Sequence, residues 1–139
     1  MVKGIPITED CSVLPIHRDT EIYCIIEHTA DKLFLKQLAN RLLDMPCRRF
    51  NFYGNYAHIG ETTFDRVDIE RGYTAGNVAL TCCYYDMESL AKHLYVAVKI
   101  ERHNAVVLYD DLHLYNQFLQ AARKMLPWWL RFRVPKAAK

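Results

Sequence analysis

Apolar residues fall in short runs in the first third of the chain, and their spacing predicts a strand followed by a helix. EIYCII at 21–26 is apolar and rich in β-branched and aromatic residues, which predicts a buried strand. A helix is then predicted from a cap at Thr29 to a stop at Pro46, because apolar residues recur at helical spacing: Leu33, Phe34, Leu38, Leu42 and Leu43. Prolines in the first twenty residues oppose a helix and predict an extended lead-in.

The pattern in the middle of the chain favours strands. Residues 62–69 contain several β-branched residues, and NVALTC at 77–82 forms a second short run. Gly72 and Gly76, in the intervening ERGYTAGN, supply the backbone freedom that a turn requires. The sequence therefore predicts strand, turn and returning strand, preceded by an irregular aromatic segment over 47–61.

The last third of the chain reads as helix, short apolar run and helix. Apolar residues share one helical face over 84–102, which predicts a long helix. A short apolar run follows at 105–109. Asp110 or Asp111 is then a candidate cap for a last helix, which is predicted to end at Pro127 because proline opposes a continuing helix.

Length and composition indicate one folded domain over 1–139. The chain is 51% hydrophobic and 24% charged, the balance of an ordinary globular protein, and its net charge of +2 demands no acidic partner. No apolar run has the length of a membrane span, and the beginning does not resemble a signal peptide. The five cysteines have no CxxC spacing. These features predict reduced thiols and a cytoplasmic location.

The stretch TTFDRVDIERGYTAGNVALTCCYYD at 62–86 combines aspartates, an arginine, a glycine turn and an asparagine. Its phrases DRVD and GYTAGNV resemble the core of the HNH, or His-Me finger, endonucleases of phages and mobile elements. The resemblance implies an α+β fold with a ββα-metal core over about 47–103. An N-terminal strand and helix and a C-terminal helix would be added to that core.

The same resemblance assigns roles to individual residues. Asp65 and Asp86 would hold one Mg²⁺ or Mn²⁺, which are ions that prefer oxygen ligands. Asn77 would orient the loop between the strands, and Arg66 would contact phosphate. The family commonly has a histidine base where Arg66 stands, and a guanidinium cannot accept a proton. His58 is therefore the candidate base, although an exposed loop histidine is the alternative interpretation.

Two further expectations concern zinc and nucleic acid. Many relatives hold zinc with two cysteine pairs, but here Phe50 and Tyr53 stand at the first pair, so no structural zinc is expected. Four arginines are candidate contacts to the nucleic-acid backbone: Arg48, Arg49, Arg66 and Arg71. The alternative interpretation is that they form an ordinary solvated surface.

The function implied by the resemblance is a small phage or mobile-element endonuclease that cleaves DNA with one divalent ion. The alternative is a catalytically degenerate protein of the same fold that binds DNA or a host protein, as a phage accessory or anti-defence factor. The basic aromatic tail at 127–139 leaves three readings open: nucleic-acid stacking, a membrane surface, or packing onto the domain. DNA is the expected partner, and a membrane is not.

Overall fold

Strands and helices alternate along most of the chain. The computed structural model describes residues 2–10, 14–72 and 77–137, with side chains up to residue 125. In chain order the elements are β1 (Val2–Pro6), β2 (Glu21–Ile25), α1 (Lys32–Leu43), β3 (Arg49–Tyr53), α2 (Ala57–Glu70), β4 (Leu80–Cys83), α3 (Met87–Tyr95), a π-helical segment (Val96–Ile100), β5 (Ala105–Tyr109) and α4 (Leu112–Ala137).

The five strands form one parallel sheet in the order β1-β5-β2-β3-β4. The central strand β2 places Tyr23 opposite Asn51 on β3 and Val107 on β5. All five of its residues are buried, as expected for a strand covered on both faces. The chain proceeds from β2 to β3 and β4 on one side and then crosses to β5 on the other. The carboxyl ends of β2 and β5 therefore form a topological switch point, where such sheets bind ligands.

Helices cover both faces of the sheet, and alternate strand residues face the two layers. One core lies between the sheet and helices α1 and α2, and its members include Ile22, Phe50, Phe52, Leu38 and Phe64. The other lies between the sheet and helices α3 and α4, with Tyr23, Ile25, Leu90, Val107 and Phe118. None of the described helices combines the length and apolarity that a bilayer crossing requires.

The prediction of a strand over 62–69 is wrong, because this segment lies within helix α2. The buried residues of α2 recur at the period of a helix: Ala57, Gly60, Phe64, Val67 and Asp68. Packing of this face against β3 overrides the strand preference of the β-branched residues. β4 pairs with β3 in parallel, and every described strand pairing is parallel. The mixed α and β composition is confirmed, whereas a ββα-metal core is not.

Several other boundaries agree with the sequence or differ from it for local reasons. The strand at β2 and the helix at α1 are confirmed, but Asp31 caps α1 in place of Thr29. Arg49–Tyr53 was expected to be irregular and is a strand, with alternating aromatic residues. The predicted helix over 84–102 is divided into α3 and the π-helical segment. Helix α4 continues past Pro127, so the predicted end there is wrong. The predicted turn partly lies outside the described residues.

Candidate functional site

A crevice of about 380 Å³ opens at the carboxyl ends of β2, β3 and β4, next to the switch point. Its lining comes from the ends of these strands and from the loop that leads into α2. Most of the side chains that line it are polar or aromatic, among them Glu27, Tyr53, Asn55, His58, Tyr84 and Tyr85. This position and lining make the crevice the candidate functional site.

The loop between β3 and α2 is tied to the end of β2 and shapes the crevice. Gly54 has φ of 114°, a conformation that favours glycine. The amide of Tyr56 donates to the Ile26 carbonyl at 2.9 Å, and the amide of Asn55 donates to Glu27 Oε1 at 2.9 Å. The carboxylate of Glu27 is therefore held at the crevice wall by a backbone amide.

Asp110 fills the position between the ends of β2 and β5. Its carboxylate accepts hydrogen bonds from the amides of Glu27, His28 and Thr29, at 2.8, 2.9 and 2.8 Å. Consecutive amides of this kind form a concavity that binds anions in many proteins. Here the protein's own side chain supplies the anion, so a phosphate has no place at this point.

Three of the helix N-termini at the same edge are also occupied by aspartates. Asp31 accepts from amides in the first turn of α1. Asp86 accepts from the Ser89 amide at 2.7 Å at the start of α3, and Asp111 accepts from the Leu114 amide at 2.9 Å at the start of α4. Helix N-termini attract anions through their unpaired amides. These three already have carboxylates, whereas α2 begins without a side-chain cap.

Carboxylates give the crevice a negative character. Burial, together with the negative charges of Glu27 and Asp86, raises the pKa of the Tyr53 phenol. Burial also raises the pKa of the Glu61 carboxyl, as Asp65 does, while His58 lowers it. Glu27 lines the crevice itself, and Asp86 and Glu61 act on groups at or beside its wall.

A histidine–carboxylate pair lies at the switch point. His28 Nε2 is 2.8 Å from Asp111 Oδ2. The hydrogen bond with Asp111 raises the pKa of the His28 imidazole. The amide of Leu114 and the imidazole of His28 lower the pKa of the Asp111 carboxyl. Asp111 therefore joins the loop after β2 to the start of α4.

The two predicted metal ligands lie on different helices. Asp65 is exposed on α2 and accepts from Thr81 Oγ1 at 2.8 Å, whereas Asp86 caps α3. No hydrogen bond joins these two carboxylates among the described contacts. Within residues 2–10, 14–72 and 77–137, no three His, Cys, Asp or Glu side chains converge in a way that could hold a metal ion. The described residues contain no preformed group of three such ligands, and the Mg²⁺ or Mn²⁺ centre stays a prediction.

The other predicted site residues are dispersed. His58 lines the crevice at the start of α2, and Arg66 is exposed further along the same helix. Asn77 Oδ1 accepts from Arg48 Nε at 3.0 Å, so Asn77 and Arg48 are brought together. This contact links the residue before β3 to the approach to β4, at the opposite edge of the sheet from the crevice.

Two of the predicted phosphate-binding arginines donate to groups of the chain itself. Arg48 Nη1 donates to the carbonyls of Met45 and Cys47, at 2.8 and 2.7 Å. Arg71 Nη2 pairs with Asp44 at 2.5 Å. These contacts stabilise the turn between α1 and β3 and join the ends of α1 and α2. Both guanidinium groups therefore have a structural role in this conformation.

The third arginine belongs to a buried polar cluster at the amino end of β2. Glu21 is 3% exposed and pairs with Arg49 at 3.3 Å and with the Asn51 amide at 3.1 Å. His103 Nδ1 and His93 Nε2 lie 3.8 and 4.0 Å from the same carboxylate. A buried carboxylate needs partners of this kind. Arg49 therefore compensates an internal charge.

The crevice residues Glu27, Tyr53 and Tyr84 were absent from the predicted set, and so was Asp110 at the switch point. The signal that could have found them is their place directly after apolar runs, because the carboxyl ends of parallel strands meet at one edge. Comparison with other proteins adds no assignment. No protein-family model, curated protein or solved structure matches this chain.

Proposed function

We propose that the chain is a binding module whose crevice accepts a positively charged side chain, arginine or lysine, of a partner protein. The supporting observation is the combination of the Glu27 carboxylate with three tyrosines in one crevice at the carboxyl ends of the strands. This proposal corresponds to the degenerate, host-protein-binding alternative drawn from the sequence.

The charge of the crevice selects a cation. The anion-binding position after β2 is filled by Asp110, and three helix N-termini carry aspartates. Glu27 adds one further carboxylate, and the negative charges of Glu27 and the helix cap Asp86 both raise the pKa of the Tyr53 phenol. A phosphate in this crevice would face repulsion from the Glu27 carboxylate and from Asp86 nearby. A guanidinium or ammonium group would be attracted.

The aromatic residues suit the same ligand. Tyr53, Tyr84 and Tyr85 line the crevice, and Tyr85 is 85% exposed. Cations bind over aromatic rings, with a contribution of roughly 0.5 to 2 kcal/mol that is largest where water is excluded. A carboxylate beside the rings adds direct charge pairing. A volume of about 380 Å³ accommodates one long side chain.

Titration with N-acetyl-arginine amide, followed by amide chemical shifts, tests this proposal. Shifts are expected at Asn55, His58 and Tyr84, and Glu27→Gln should weaken binding about tenfold because the negative charge is removed. Glutamine retains an oxygen that can accept from the Asn55 amide, so the loop should be preserved. The matched control is Glu9→Gln, which removes an exposed charge outside the crevice lining.

The uncharged analogue N-acetyl-citrulline amide provides the second control, since it preserves shape without charge. Equal binding of the arginine and citrulline compounds, or an equal effect of Glu27→Gln and Glu9→Gln, would refute recognition of a cation. Shifts confined to other parts of the sheet would also refute the crevice as the site.

The second candidate function is the metal-dependent DNA endonuclease implied by the sequence resemblance. One observation favours it: the negative charges of Glu27 and Asp86 both contribute, after burial, to raising the pKa of the Tyr53 phenol, so two carboxylates act on the same crevice residue. Mg²⁺ sites often use only one or two carboxylates, with phosphate and water as the other ligands. Because the described residues hold no preformed three-ligand group, we assign no catalytic step through a metal.

Nicking of supercoiled plasmid in the presence of Mg²⁺ or Mn²⁺ tests the endonuclease candidate. If it is correct, Asp86→Asn should slow nicking by about tenfold or more through loss of a charged ligand, while asparagine preserves the helix cap. Asp65→Asn examines the ligand pair given by the resemblance. Asp19→Asn, an exposed aspartate, is the control. Nicking that is equal in all four proteins, or that persists in EDTA, would identify a contaminating nuclease.

A further inference from the structure

A second surface, distinct from the crevice, lies along helices α3 and α4. A groove of about 500 Å³ has an apolar floor formed by Tyr95, Val96, Ala121 and Met125. A neighbouring groove of about 340 Å³ shares Tyr95 and includes Leu94, Val98, Leu119 and Ala122. We refer to the two grooves together as the α3–α4 surface. None of its described residues lines the crevice.

The π-helical segment contributes to both grooves. Val96 begins this segment and lines the first groove, while Val98 and Lys99 line the second. The amide of Glu101 donates to the carbonyl of Val96, five residues earlier, at 2.9 Å. This spacing is that of a π-helix and is one residue wider than in an α-helix. Such segments have poorer packing than an α-helix and often occur at functional sites. In this protein the π-helical segment places neighbouring side chains of one helix in two different grooves.

Cations surround the apolar floor. Lys92 and Lys124 line the first groove, Lys99 and Arg123 line the second, and Glu88 is the one acidic residue among the described lining residues. None of the four cations forms an ion pair with a described residue. Some cations elsewhere do, with Arg49, Arg71 and Lys36 paired to Glu21, Asp44 and Glu70. The positive charge at this surface is therefore not compensated within the described part of the chain.

We propose that the α3–α4 surface docks an amphipathic helix of a partner protein, with an apolar stripe flanked by acidic residues. An elongated apolar groove between two helices receives the apolar face of such a helix, and the free cations then pair with its acidic flanks. A nucleic acid has charge of the correct sign but no aliphatic stripe to fill an apolar floor. The chain's own last residues, 131–139, carry only positive charges and match the rim poorly.

This proposal does not depend on the function of the crevice. The test uses a fluorescent synthetic peptide of about 18 residues, about five helical turns, with leucine at helical spacing and glutamate elsewhere. Saturable binding is expected, with amide shifts at Lys92, Val96 and Ala121. The double variant Lys92→Glu with Lys124→Glu should bind it at least about tenfold more weakly. The same variant should gain affinity for a leucine–lysine peptide.

The matched control is Lys32→Glu with Arg41→Glu on α1, which changes the net charge equally at exposed positions elsewhere. Ala121→Asp, which places a charge on the apolar floor, should also abolish binding while circular dichroism shows an unchanged fold. The proposal is overturned if the control and the Lys92/Lys124 variant lose affinity equally, or if the peptide does not bind. It is also overturned if the free protein forms a dimer that the Lys92/Lys124 variant lacks, since a second copy would then cover the surface.

Discussion

Replacing Asp110 by alanine is expected to lower the free energy of unfolding by about 3 kcal/mol or more. The carboxylate accepts from three consecutive amides, those of Glu27, His28 and Thr29. Hydrogen bonds to a charged acceptor contribute roughly 1.5 to 3 kcal/mol each, and amides left without an acceptor add a penalty. The loss should be partial because water can reach the more exposed of these amides. Urea denaturation measures the change.

Two variants make the Asp110 result specific. Asp110→Asn preserves one carbonyl oxygen of the side chain and should lose about half as much stability as alanine. Asp65→Ala removes a carboxylate whose described hydrogen bond is to one exposed hydroxyl, so its effect should stay within about 0.5 kcal/mol. If Asp110→Ala costs no more than Asp65→Ala, the carboxylate does not hold the two loops together.

Gly54→Ala is expected to cost more than about 3 kcal/mol and to abolish ligand binding in the crevice. A methyl group at this position would lie 2.5 Å from the Ile26 carbonyl oxygen and 2.8 Å from its carbon. That carbonyl cannot move freely, since it accepts from the Tyr56 amide. The φ of 114° adds strain of roughly 1 to 3 kcal/mol for any residue with a side chain. Denaturation and the arginine-amide titration measure the two effects.

Gly72→Ala separates backbone strain from collision. Gly72 has φ of 71°, but a methyl group there would meet no atom within 4 Å. Its replacement should therefore cost only the conformational penalty, roughly 1 to 2 kcal/mol. Equal losses from the two alanine variants would mean that the β3–α2 loop shifts away from Ile26 without cost, and the crevice would then not depend on this close approach.

The elements that the sequence predicted correctly are those with a strong local pattern. The apolar run at β2 and the helical spacing of leucines in α1 are each visible within one short segment. The segment of α2 was predicted to be a strand because Thr62, Thr63 and Val67 favour strands. The packing of Phe64 against Phe50 and Phe52 stabilises a helix there instead. β3 contributes to that packing, and it was itself expected to be irregular. An error at one element thus propagated to its neighbour.

The site was less predictable than the fold because its contacts join distant parts of the chain. Asp110 and Asp111 were the two candidate caps of the last helix; Asp111 fills that local role, whereas the amide partners of Asp110 lie more than eighty positions earlier. The dense pattern of DRVD and GYTAGNV drew the candidate ligands to 62–86, where Asp65 faces solvent on α2. The position of a residue in the folded protein depends on which strands become neighbours in the sheet. That order is set by the whole sheet, and local spacing carries little information about it.

The position of β1 at the edge of the sheet has a consequence for synthesis on the ribosome. Of the five described strands β1 leaves the exit tunnel before the others, but its neighbour in the sheet is β5, with Val2 opposite Ala105. Until β5 has been translated and has paired with β2, the amides of β1 have no strand to receive them. Pairings between such distant segments are slow to form and leave strand edges exposed meanwhile. β1 is therefore made well before β5 and can join the sheet only after β5 has joined it.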